Sequence, residues 1–169
     1  MDGTGTLRCR TAETELGPIR LFASDAGLCA VLLPHCRRTP EWLAGAEAAE
    51  DEGLAEAERQ LRAYLRGERT EFRLSLDLRG TPFQTAVWRW LLTIPYGQRR
   101  SYAQAAVAMG MDPGFARAVA SAAASNPLPI VVPCHRLVGS DGSLTGYVGG
   151  LQAKRFLLDL ESGAAPLGL

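Results

Sequence analysis

The 169-residue chain has little of several things, and each shortage narrows its chemistry. It carries only four cysteines, Cys9, Cys29, Cys36 and Cys134, with no Cys-x-x-Cys among them. A small secreted scaffold has more, at closer spacing, so a disulfide framework is not expected. Histidine occurs twice, at His35 and His135. Cys29, His35 and Cys36 raise the question of zinc, because thiolate and imidazole are its usual ligands. The missing Cys-x-x-Cys and the lack of spare histidines argue against it, and no metal is expected. No run of about 18 apolar residues occurs, so no membrane span is expected. Met1-Asp2-Gly3-Thr4-Gly5 has neither the basic start nor the apolar stretch of a secretory signal, which makes the cytoplasm the default location. No internal repeat, low-complexity segment or cofactor motif is found.

Net charge is also missing: 18 Lys+Arg balance 18 Asp+Glu. The distribution is uneven. Residues 1–80 hold 11 Arg against 14 acidic residues, a balance of −3, and residues 81–169 hold 7 basic against 4 acidic, a balance of +3. A mildly basic second half is compatible with phosphate contact without demonstrating it.

What is present divides near Gly80. Before it, residues 17–22 and 28–33 flank the turn Ser24-Asp25-Ala26-Gly27 and read as a hairpin. Residues 47–66, with Leu54, Leu61 and Leu65 at near-helical spacing and Gly67 as a stop, read as one helix with a solvated acidic face from Glu47 to Glu58. Residues 72–78 alternate strictly, as a half-buried strand does. After Gly80, Thr81-Pro82-Phe83-Gln84 and Ser101-Tyr102-Ala103-Gln104 are two capping boxes. A further helix is expected from Asp112-Pro113 to about Ser125. The last two helices have the outline of a helix-turn-helix, although two helices tucked into a core would read the same way. Ile130-Val131-Val132 reads as a short buried strand, Gly146 to Gly150 as a glycine-rich loop, and Leu151 to Glu161 as a closing helix.

The candidate chemistry lies in Val132-Pro133-Cys134-His135-Arg136. A cysteine attacks only as thiolate, which needs nearby positive charge, a base or a helix terminus. Adjacent residues on a strand point to opposite faces, so thiol and imidazole would meet only across a turn or a water. From these residues alone, an inert buried thiol and a nucleophile both stand.

Ile130 through Val138 resembles the active-site signature of the O6-alkylguanine-DNA alkyltransferases. Further matches follow in order: Gly80-Thr81-Pro82-Phe83-Gln84, Val87-Trp88, Ile94-Pro95-Tyr96-Gly97, Ser101-Tyr102, Arg117-Ala118-Val119, Asn126-Pro127, Gly142 through Leu151, and Lys154 to Glu161. The first half is similar more loosely, through Leu16 to Ile19 and Ala26 to Leu28. The resemblance implies an α+β protein of two domains: a ribonuclease-H-like α/β unit at 1–79, and a mainly helical winged helix-turn-helix unit at 80–169 that binds DNA and carries the site. It implies direct-reversal repair, in which Cys134 takes the alkyl group from O6-alkylguanine, or from O4-alkylthymine, in double-stranded DNA after base flipping. Each molecule would act once, as a monomer without cofactor.

The same resemblance implies roles. His135 takes the thiol proton through water, Glu161 orients the imidazole, Tyr102 protonates the departing guanine and Asn126 positions the active-site turn. Arg117 fills the base stack, and Ala118, Ala122, Ala123 and Arg136 lie at the DNA. Tyr147, Val148 and Lys154 line the substrate pocket. Two departures stand out: Ala120 where many relatives have glycine, and Arg99-Arg100 where neutral residues are usual. Among other classes, a Cys–His hydrolase would need an oxyanion hole and turnover, and neither is marked. A lesion sensor of this kind would lack Cys134, and a regulator switched by alkylation would need further domains.

Overall fold

A computed structural model describes residues 5–164, which fall into two compact units divided between Arg79 and Gly80. In the first, β1 (Arg8–Thr14), β2 (Gly17–Ser24) and β3 (Gly27–Leu32) form an antiparallel meander, and β4 (Glu47–Ala48) pairs parallel to β1, giving the sheet order β3-β2-β1-β4. The expected hairpin is β2–β3, closed at Ser24↔Gly27. The sheet packs against α1 (Glu52–Leu65), whose Leu54, Ala57, Leu61, Tyr64 and Leu65 are buried. Fully burying each of the three leucines contributes about 1.5–3 kcal/mol.

Three expectations for this unit need correction. The helix begins at Glu52, not 47, because Asp51 caps it by accepting the Leu54 amide at 2.9 Å while Glu47–Ala48 joins the sheet. The acidic stretch is not uniformly a solvated face: Glu58 is nearly buried and pairs with Arg10, and Asp51 pairs with Arg8 at 2.7 Å. Residues 72–78 alternate in burial only as far as 76 and do not form a ladder. They touch the sheet at a single bridge, Leu28 to Leu76, through Leu28 N to Ser75 O at 2.9 Å and Asp77 N to Leu28 O at 2.8 Å.

The second unit holds α2 (Pro82–Leu91), α3 (Tyr102–Ala108), α4 (Ala116–Ala124) and α5 (Leu151–Ser162), with a two-residue parallel ladder of β5 (Arg100–Ser101) and β6 (Leu137–Val138). Both capping boxes form, at Thr81/Gln84 and Ser101/Gln104. Each satisfies two amides that a helix start would otherwise orphan. Gly110, at φ 80°, stops the chain after α3, and Asp112 caps the turn that leads into α4. α3 packs on α4 as a helix-turn-helix pair. Trp88 is buried in α2, and its indole N–H donates to the Ala122 carbonyl of α4 at 2.8 Å.

The expected strand 130–132 is instead a tight buried turn. Ile130 has φ 76°, a left-handed conformation that a β-branched residue rarely adopts. Surrounding bonds impose it: the Val132 amide donates to the Leu128 carbonyl at 2.8 Å, and the Cys134 amide to the Val132 carbonyl at 2.8 Å.

Candidate active site

Several segments of the second unit bring the site together. The loop 126–133 is closed by one side chain, Asn126. Its Oδ1 accepts the Leu128 amide at 2.9 Å, and its Nδ2 donates to the Val132 carbonyl at 2.9 Å and to Cys134 Sγ at 3.2 Å. Asn126 is thus both the clasp of the turn and a hydrogen-bond donor to the sulfur.

Cys134–Arg136 forms one 3₁₀ turn rather than a strand. The turn lets the adjacent His135 and Arg136, which a strand would point to opposite faces, reach the same carboxylate. His135 Nε2 lies 2.8 Å from Glu161 Oε1. Arg136 grips Glu161 bidentately, Nε to Oε2 at 2.9 Å and Nη2 to Oε1 at 2.7 Å, and its Nη1 donates to the Ile94 carbonyl at 2.6 Å. The Gly97 amide adds a long contact to Oε2 at 3.3 Å.

Charge follows from this geometry. Burial works to raise the Glu161 carboxyl, but hydrogen bonds from His135 and Arg136 prevail and hold it at about 2. A carboxylate can only accept, so the proton of neutral His135 sits on Nε2 and leaves Nδ1 as the basic nitrogen. Burial pushes His135 below its ordinary value, against the opposing pull of Glu161. Burial likewise pushes the Cys134 thiol up to about 11, while the Asn126 hydrogen bond and the charge of Lys154 pull it down. At neutral pH the resting pair is therefore thiol and neutral imidazole, with a base beside an acid still to be deprotonated.

Lys154, two helical turns before Glu161 on α5, is completely buried. Burial lowers its ammonium to about 8. Its Nζ donates to the Thr145 carbonyl at 2.9 Å and lies 5.9 Å from the centre of the Tyr102 ring. Tyr102, the first residue of α3, accepts a hydrogen bond from Thr145 Oγ1 at 3.1 Å. Tyr147 is half-buried and meets the His135 ring edge-on, with centroids 6.4 Å apart and planes at 82°. Val148 is half-buried beside it in the same loop.

The expected DNA-facing residues separate. Arg117 is exposed and Ala118 half-exposed, so both are available to an outside partner. Ala122 and Ala123 are not: they are buried, and the Ala122 carbonyl accepts the Trp88 indole N–H. The outward stripe of α4 is Arg117, Ser121 and Ala124, at the i, i+4, i+7 spacing of one helical face. Arg136 also needs correction as a DNA contact. It is 7% exposed, and its donors are spent on Glu161 and Ile94. Sequence reasoning missed its part in fixing Glu161, and missed Thr145 altogether, although both lie inside quoted motifs.

The other three thiols have no comparable surroundings. Cys29 is buried in an apolar cluster with Phe22, Ala30 and Leu43, and Cys9 packs against that cluster. Cys36 points its thiol at the Arg38 carbonyl, 3.2 Å away. Among the described residues, no three His, Cys, Asp or Glu side chains gather as a metal site would require. No described helix is long and apolar enough to cross a membrane.

Comparison with known proteins agrees across both units. The model of the 6-O-methylguanine DNA methyltransferase ribonuclease-like domain matches residues 7–78, and that of the DNA binding domain matches residues 82–163. A methylated-DNA–protein-cysteine methyltransferase of Mycobacterium tuberculosis strain H37Rv is 47% identical over 163 residues, covering 95% of each chain. The constitutive one of Bacillus subtilis strain 168 is 43% identical over 155 residues, covering 89% of this chain and 93% of that one. The crystal structure of Mycobacterium tuberculosis OGT in complex with DNA superposes with a TM-score of 0.86 at 43% identity, over 94% of this chain and 95% of that one. On these matches the chain belongs to the 6-O-methylguanine DNA methyltransferase family.

Proposed function

We propose that the protein repairs O6-alkylguanine in double-stranded DNA by moving the alkyl group irreversibly to Cys134. The observation that carries this is the Cys134–His135–Glu161 arrangement, with Asn126 Nδ2 at the sulfur and Glu161 fixing the basic nitrogen of the imidazole. The names of the relatives specify a protein cysteine as acceptor. Cys134 receives a side-chain amide hydrogen bond, feels the Lys154 ammonium, and directly precedes an imidazole that is paired with a carboxylate.

The step is an in-line displacement. His135 Nδ1 takes the thiol proton across a water, the sulfur forms a bond to the alkyl carbon, and the carbon–O6 bond breaks. The electron pair leaves with guanine, which Tyr102 protonates at a ring nitrogen. The Lys154 ammonium favours the thiolate as it forms. The lesion must leave the duplex to reach a buried thiol, at a cost of about a few kcal/mol. Exposed Arg117 on α4 supplies a planar cation to fill the stack it vacates. All of these groups come from one chain, so a monomer suffices. The thioether product is not hydrolysed, which limits each molecule to one transfer.

Incubation with a duplex carrying one O6-methylguanine, followed by intact mass measurement, tests this reading. One added methyl, mapped to Cys134 and absent in Cys134→Ser, is expected. Repeated turnover, or an unchanged mass beside intact lesion, would refute it.

A further inference from the structure

We propose that Thr145 is a positioning residue for the proton that Tyr102 delivers. The proposal rests on the alkyl-transfer reading and adds a component that none of the roles above includes. Thr145 lies between two groups from different helices. Its hydroxyl contacts the Tyr102 oxygen at 3.1 Å, and its carbonyl accepts Lys154 Nζ at 2.9 Å. Lys154 in turn stands 5.9 Å from the Tyr102 ring, within cation–π range. The residue just before the glycine-rich loop therefore joins the start of α3 to the first turn of α5.

The direction of the hydroxyl contact matters. With Thr145 donating, the phenol O–H of Tyr102 is turned outward, toward an incoming acceptor. The same donation supports negative charge on the phenol oxygen as its proton departs. The balance is complete. The thiol proton ends on His135, the phenol proton ends on guanine, and the phenolate and imidazolium exchange protons with solvent after product release. Lys154, held by the Thr145 carbonyl, lies on the side where both thiolate and phenolate charge develop.

Two substitutions separate this role from a structural one. Thr145 is exposed, so Thr145→Val keeps the shape and the backbone carbonyl that holds Lys154 while removing only the hydroxyl. Single-turnover transfer from the O6-methylguanine duplex is measured at saturating protein, and lesion affinity is read in a Cys134→Ala background. Thr145→Val is expected to slow the saturated rate about tenfold, the equivalent of one hydrogen bond, with unchanged affinity. Thr145→Ser should restore the rate. In a Tyr102→Phe background, Thr145→Val should cause no further slowing, since the hydroxyl then has nothing to orient. A wild-type rate in Thr145→Val, a loss confined to affinity, or an undiminished loss in the Tyr102→Phe background would overturn the proposal. The endpoint mass keeps the two readings apart. If the unsubstituted protein gains no methyl on Cys134, alkyl transfer itself fails; if it does, and Thr145→Val is equally fast, only the Thr145 role fails.

Discussion

Cys29 and Cys134 make a controlled comparison within one chain. Both thiols are buried, at 0% and 5% exposure, and burial pushes both up to about 11. By depth alone they are the same residue. Their neighbours differ. Cys29 Sγ faces the Phe22 carbonyl at 3.4 Å among Ala30 and Leu43. Cys134 Sγ receives a hydrogen bond from Asn126, next to an imidazole whose tautomer is fixed and an ammonium whose charge is poorly solvated. A raised thiol is inert in the first setting and held in reserve in the second. What separates them is whether a base is built beside the proton.

The largest expected effect lies in the acceptors themselves. Cys134→Ala should abolish methyl gain completely, whereas Cys29→Ala should keep one methyl per chain and lose only about 1–2 kcal/mol of stability from the small cavity. Mass measurement and urea melts read both. A methyl found on Cys29 would break the comparison outright.

Next comes the base. His135→Ala should slow single-turnover transfer by about 10²–10⁴, the range of a lost general base, and flatten the dependence on pH. Glu161→Gln should act on two observables. It leaves Arg136 buried without its carboxylate, which is expected to cost about 3–5 kcal/mol in a denaturant melt, and it frees the imidazole to take the other tautomer, slowing transfer.

Acid provides a smaller and broader test. His135 sits below its ordinary 6.5, so the unfolded chain takes up that proton first; the associated stability is present above about 6.5 and lost as pH falls below it. Glu161, held at about 2 against an ordinary 4.5, contributes stability above 4.5 that is lost as pH falls toward 2. Both act in the same direction. Urea midpoints should fall from pH 7.5 to 6 through His135 and further to 4 through both groups, and Glu161→Gln should make the second decline shallower without abolishing it. A midpoint that rises on acidification would remove the charge assignment on which the comparison rests.

Smallest is an effect on Lys154. Lys154→Met removes the ammonium that favours thiolate, so transfer near neutral pH should slow by about tenfold or less. It should also lose any decline that sets in as the ammonium deprotonates near 8.

The helix starts and the reactive segment were the legible parts of the sequence. Thr81/Gln84 and Ser101/Gln104 are local chemistry, and local chemistry needs no tertiary partner. β1 was not legible, because the face it turns to α1 begins Arg8, Arg10, Ala12, and its charges are matched by Asp51 and Glu58, 43 and 48 residues away. Ile130–Val132 has strand composition, yet the bonds from Asn126 and Leu128 override it and force a left-handed residue. Alanines in α4 carry no periodic contrast, so the buried Ala122 and Ala123 could not be told from the outward Ala124. Arg136 reads as a surface cation until its partner, 25 residues later, is known.

Lys154 and Glu161 project from a single helix, seven residues apart. Their placement is therefore a matter of helical pitch. Inserting or deleting one residue between them would swing Glu161 by about 100° around the axis and move it about 1.5 Å along it. His135 and Arg136 would then lose their shared acceptor together. Substitutions within that interval leave the pitch intact, whereas a change in its length dismantles the carboxylate's two partnerships at one stroke.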